Sequence, residues 1–361
     1  MQRRTFLALG SAGIAGLAGC TSLGGTGDGT PTPTATATDT ATATPAGSAS
    51  DLPDGVYIQS FRESMAMQGT GGAGDFQAGL MYAAPHSFWN VNGTELQKTP
   101  REGSIHLMAV VWDPETNTVL PETGLSVEIL QDGELVSEEV IYPMLSQRMG
   151  FHYGGNFTLP ADGEYTGRVS IGGMNVRRTG AFQGKFGESA TVEIPFAFNE
   201  EEREKVTVTE LDAYGQRGAV KPMDMMMLPQ ATAPPESELP NVLGTPKSDD
   251  AVLVTGTSEV PDGAEGSGEY LYVSARTPYN GLVLPAMGLN AVVSGSGGTT
   301  FEGPLRRTLD TDLGYHYGAA IDGSVGSGDT VRLEPTVPPQ VARHEGYERA
   351  FLQMDPVEFT V

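Results

Sequence analysis

Apolar and polar residues alternate over short runs through most of the chain, and turn residues interrupt those runs about every ten positions. Segments 126–130 and 134–141 flank Asp132-Gly133, a dipeptide favoured in tight hairpin turns. GEYTGRVSI from Gly163 and GDTVRLEPT from Gly328 have the same strand-like pattern. No stretch carries a convincing amphipathic helical period. The pattern predicts an all-β protein built as β-sandwiches.

The pattern also repeats. GFHYGGNF at 150–157 returns as GYHYGAAI at 314–321, an offset of 164 residues. The same offset carries TVLPETGLSVEI from Thr118 onto LVLPAMGLNAVV from Leu282. Residues 106–154 and 270–318 align without a gap, with 14 identities in 49 positions. Chance would give roughly 3 at ordinary residue frequencies. Two tandem domains are expected, at 55–199 and 248–361, each long enough to bury a core without disulfides. Residues 200–247 between them are polar and proline-rich, with PMDMMMLP inside, and read as a linker or an arm lying across both domains.

The start of the chain reads as an address. Arg3 and Arg4 precede a short apolar run ending LAGC, which resembles a twin-arginine export signal closing on a lipoprotein box at Cys20. Residues 1–20 are then signal, and lipid on Cys20 would anchor the protein to the outer face of the cytoplasmic membrane. Residues 21–54, rich in Thr, Pro and Ala, have too little apolar surface for a core and read as a disordered tether. Cys20 is the only cysteine. A folded part without a thiol excludes disulfides, thiolate nucleophiles and a blue-copper centre.

Acidic residues number 45 and basic ones 21, a formal charge of −24. Such a surface repels nucleic acid and suits solubility in concentrated salt, as in a halophile. No phosphate loop, HExxH or nucleophile–base pattern is present, so the chain is not expected to be an enzyme.

What remains is the placement of five histidines. The series Pro143-Met144, His152-Tyr153-Gly154 and Gly163-Glu164-Tyr165, followed much later by Arg343-His344, resembles the periplasmic iron-uptake (Fe2+ transport) proteins that bind copper. That resemblance implies an immunoglobulin-like sandwich. It also implies a dimer whose metal site is completed by the later histidine of the opposite subunit, and work beside a membrane permease for iron. Carried over, the methionine falls on Met144 and the HYG histidine on His152. Copy two keeps His316 but has Thr308 at the methionine position. The Arg-His pair survives only there, since copy one reads Arg178-Thr179. One covalent chain could therefore mimic the dimer, with Met144 and His152 from copy one and His344 from copy two.

The family's early-strand histidine, followed two residues on by a carboxylate, has no plain counterpart in GLMYAAPHSFW. Met81 replaces it, or His86 reaches in from the turn after Pro85. His106 shares a strand face with Met108 and Val110 and is a further candidate, because copy two has Tyr270 in its place. Imidazoles with a thioether suit copper and tilt toward Cu(I), and imidazole also accepts ferrous iron, with manganese a further candidate. Met223, Met225, Met226 and Met227 read either as a soft relay or as adaptable packing. The expected function is a metal-binding surface lipoprotein assisting iron uptake. A non-catalytic structural or adhesive module on a stalk is the alternative, with HYG serving packing alone.

Overall fold

Strand alternation becomes layers in the computed structural model, which describes residues 52–361, Met226 excepted. The export signal, Cys20 and nearly all of the tether lie outside the described residues. In Ala190–Phe198, Val192, Ile194, Phe196 and Phe198 are buried, while the residues between them are exposed or half-buried. Gly163–Ile171 turns Tyr165, Val169 and Ile171 inward in the same way. These strands join Leu125–Gln131 and Glu134–Ser137 in a four-stranded sheet. It packs on a larger sheet so closely that a Cβ at Gly167 would lie 2.7 Å from Leu80, and glycine lets the layers meet. The hairpin turn has positive φ at both Asp132 and Gly133, 52° and 85°, as a right-twisting two-residue turn requires. The protein is all-β, a tandem of immunoglobulin-like sandwiches.

The duplication is exact in register over three strands. Tyr142–Ser146, Gly150–Phe157 and Ile105–Trp112 correspond to Arg306–Asp310, Gly314–Ile321 and Glu269–Arg276, each offset by 164 residues. The second copy closes with its own four-stranded sheet of Gly298–Pro304, Gly288–Gly295, Thr330–Val337 and Val357–Thr360.

The copies exchange strands. Ala342–Arg343, from copy two, pairs in parallel with Tyr142–Ser146 of copy one, setting Ala342 opposite Met144. Arg177–Arg178, from copy one, pairs in parallel with Arg306–Asp310 of copy two, setting Arg177 opposite Thr308. Each large sheet is thus completed by the other copy, and the described residues form one unit.

The intervening residues cross this unit. Val208–Glu210 pairs with Phe61–Glu63, and Val242–Gly244 and Lys247–Ser248 pair with Ala251–Glu259. Leu228 covers Gly79, where a Cβ would meet its methyl at 2.5 Å. The outer face of the first large sheet is therefore roofed, and both faces of Ile105–Trp112 are buried.

Candidate metal centre

The HYG strand sorts its side chains by the two-residue period of a strand. Tyr153 stands opposite Ala109 and sends its hydroxyl to Thr123 in the core. Its neighbour His152 must face the other way, and there it stands opposite Met144 on the adjoining strand. Across Gly154, the next strand presents His106 and Met108 on the same outer face. The exchanged strand then brings His344 onto that face. Its backbone N–H donates to Leu145 O at 3.1 Å, and its Nε2 lies 3.3 Å from Met144 Sδ. His86 completes the group, with Nε2 3.1 Å from His344 Nδ1. Ring centroids separate His86 from His106 by 4.0 Å and His152 from His344 by 5.1 Å. One ligand nitrogen from each of His86, His106 and His344 falls within a 4.8 Å span.

Counting protons shows what this cluster wants. His152 Nδ1 is 3.0 Å from Gly150 O, an acceptor only, so Nδ1 carries the proton. His106 Nδ1 meets Asn156 Oδ1 at 2.8 Å. The Asn156 amide nitrogen donates to the carbonyls of His86 and Pro100, each at 3.0 Å, which fixes Oδ1 as the acceptor and His106 Nδ1 as the donor. His86 Nδ1 faces two acceptors, Ala84 O at 3.0 Å and Glu63 Oε1 at 3.1 Å. The Nε2 atoms of His106 and His152 are therefore bare lone pairs, Met144 Sδ is another, and His86 Nε2 faces His344 Nδ1. Neutral His344 brings one proton to this group. His106 Nε2 and His152 Nε2 are buried with no hydrogen-bond partner among the described residues. Each orphan costs about 1–3 kcal/mol, a cost that a bound cation would offset.

Burial keeps the imidazoles of His106, His152 and His344 neutral. It lowers His152 to about 4, and lowers His106 and His344 well below the usual histidine range, helped by the neighbouring rings. Neutral imidazole is the form that binds metal. A cleft of about 330 Å³ opens onto His86 and His344 and connects the cluster with the surface.

Gly154 makes the room. A Cβ there would sit 2.8 Å from both His106 Nε2 and Met144 Sδ. Its φ is not in the left-handed region, so space alone demands the glycine.

Copy two shows the same scaffold with the donors satisfied. Tyr270 replaces His106, and its hydroxyl lies 2.9 Å from His316 Nε2. Thr308 replaces Met144. The Arg177 guanidinium, on the exchanged strand, bonds Thr308 Oγ1 at 2.8 Å, Gly318 O at 2.9 Å and the Tyr270 hydroxyl. A fixed organic cation fills this second seat. A Cβ at Gly318 would lie 2.2 Å from the Tyr270 hydroxyl, so that HYG glycine also answers to space.

Of the residues singled out from sequence, Met144, His152, His344, His106 and His86 come together. Met81 is wholly buried opposite Met108, two register positions from the pair of Ala83 and His106. His106 stands in the sheet opposite Asn156, four residues along from His152, with Met108 two residues on, and Glu63 supplies a carboxylate beside His86. Sequence reasoning missed Glu63, Asn156 and Arg177. Only Arg177 left a usable signal, the loss of a histidine and a methionine from copy two. In the methionine run, Met223 lines the cleft, Met225 is buried, Met227 is 65% exposed, and Met226 lies outside the described residues.

A family model described as a domain of unknown function (DUF7350) matches residues 237–360. A search of curated proteins found no match. Among solved structures, FetP of uropathogenic Escherichia coli strain F11 is similar at 20% identity and a TM-score of 0.29, covering 38% of this chain and 96% of FetP. A copper-bound variant of FetP is similar at 18% identity and a TM-score of 0.29, covering 38% of this chain and 97% of its own. Copper-reconstituted P19 from Campylobacter jejuni is similar at 15% identity and a TM-score of 0.28, with coverages of 38% and 97%.

Proposed function

We propose that this protein is an exported, lipid-anchored metal-binding protein that holds one copper ion between its two copies and assists iron uptake beside a membrane permease. The observation that carries the reading is the set of His86, His106 and His344 nitrogens within 4.8 Å of one another, with His344 Nε2 3.3 Å from Met144 Sδ and His106 Nε2 lacking a hydrogen-bond partner among the described residues. Three imidazoles with a thioether suit copper in either oxidation state, and imidazole also accepts ferrous iron. Manganese, which favours oxygen ligands, fits this donor set less well.

The chain's own residues act by capture and release. Met144, His152, His106 and His344 supply lone pairs, with His86 packed against His344. Asn156 and the Gly150 carbonyl hold the tautomers that point Nε2 inward, and the cleft at His86 and His344 gives passage. A bound copper ion supplies a charge that can change by one electron, and no covalent turnover of the protein is involved.

Titration of the purified protein with copper, ferrous and manganous ions tests this. Copper is expected to bind tightly at one equivalent and to lose at least about a hundredfold in affinity in Met144→Ala/His152→Ala, in line with the removal of two ligands. Equal binding by wild type and double variant contradicts the proposal.

A further inference from the structure

The cleft leading to His86 and His344 has an unusual wall. Four of the twenty residues around it are methionines, Met65, Met108, Met149 and Met223, against fourteen methionines in 361 residues of chain. They come from separate parts of the sequence: a strand-edge loop, the strand of His106, the turn before the HYG strand, and the arm. Met65 and Met223 are partly exposed, where leucine would pack as well. The arm is fastened so that Met223 stays there, because its backbone N–H donates to Arg148 O at 2.9 Å. The charged residues on the wall are mixed, with Lys98, Arg101 and Arg148 against Glu63 and Glu345. Glu345 is already engaged by Ser60 at 2.7 Å, and Glu63 by His86. A hydrated divalent ion gains little from such a wall. A soft monovalent ion is bound through the polarisable sulfurs.

We propose that this methionine cleft is the entry and exit route for Cu(I), a run of weak thioether seats ending at Met144 and His344. The proposal rests on the copper reading above and assigns the oxidation state of the ion that travels. Each transfer exchanges neutral thioethers: one Cu–S bond forms as another breaks, with no electron and no proton moved. At the cluster, with the His344 proton on Nδ1 toward His86, the ion meets His344 Nε2 and Met144 Sδ without displacing a proton.

Anaerobic stopped-flow transfer of Cu(I) from its bicinchoninate complex to the purified protein tests the route. In Met65→Leu/Met149→Leu/Met223→Leu the loading rate is expected to fall about tenfold, with the equilibrium affinity within about threefold of wild type. Met65→Leu/Met223→Leu, which alters only partly exposed side chains, gives the same test if the triple variant fails to fold. A folded variant that loads at the wild-type rate, or that loses affinity in proportion to rate, overturns the route. A wild-type protein that takes up Cu(II) but no Cu(I) overturns the route alone, and one that takes up neither overturns the copper reading with it.

Discussion

Gly154 carries a requirement that no side chain could meet, since its missing Cβ would stand 2.8 Å from two of the donors. Gly154→Ala is expected to abolish tight copper binding while costing about 1–3 kcal/mol of stability from overpacking. Copper titration beside a urea melt checks both, and an alanine variant that binds copper normally contradicts the geometry. Around this glycine, residue identity could be read from the chain to different depths. Met144, His152 and His344 stood in an ordered pattern of neighbours, so they could be picked out as candidates. His86 and His106 were candidates whose meeting depends on a strand pairing and a turn that no local pattern encodes. Glu63 and Asn156 act through contacts 23 and 50 residues away along the chain, at His86 and His106, and left no mark in the sequence.

The exchanged strands decide which seat is kept. Both copies offer the HYG strand, its partner and a parallel two-residue strand from the other copy. In one seat that strand delivers His344 to Met144. In the other it delivers the Arg177 guanidinium to Thr308, Tyr270 and the Gly318 carbonyl. The unequal losses were visible in the sequence, but the guanidinium at the corresponding place in copy two was not, because Arg177 lies outside the HYG motif. Arg177→Ala is expected to cost about 1–3 kcal/mol, since it leaves buried acceptors without their donor. The copper stoichiometry should remain one. Chemical denaturation and a metal titration of the same variant read the two effects, and a second equivalent bound tightly would contradict the account. Elements were readable where alternation and turns coincide, as at 125–137. The exchanged strands were not, being two residues long with register set by the other copy.

For the folded unit, buried neutral histidines make stability depend on pH. His152 and His316 are both lowered to about 4 by burial, against about 6.5 unfolded. Below the unfolded value the unfolded chain binds protons that the folded protein refuses, so stability falls between about pH 6.5 and 4. Each histidine can contribute up to about 3 kcal/mol to that loss. Glu348 and Asp249, raised by burial, push the other way. The readout is therefore the difference between proteins: metal-free His316→Gln should show a shallower decline in urea midpoint over this range than metal-free wild type. Identical slopes contradict the assignment.

The two-copy plan was readable from the repeat, whereas the reciprocal exchange that joins the copies required the fold. On it rests the claim that one ion seat spans the copies, built from the first copy's strands and the second copy's tail. The direct measurement is a pair of copper isotherms on His344→Ala and His316→Ala. Loss of tight binding in His344→Ala, with His316→Ala like wild type, is expected. Tight binding that survives in His344→Ala, or that is lost with His316 instead, would contradict the shared seat.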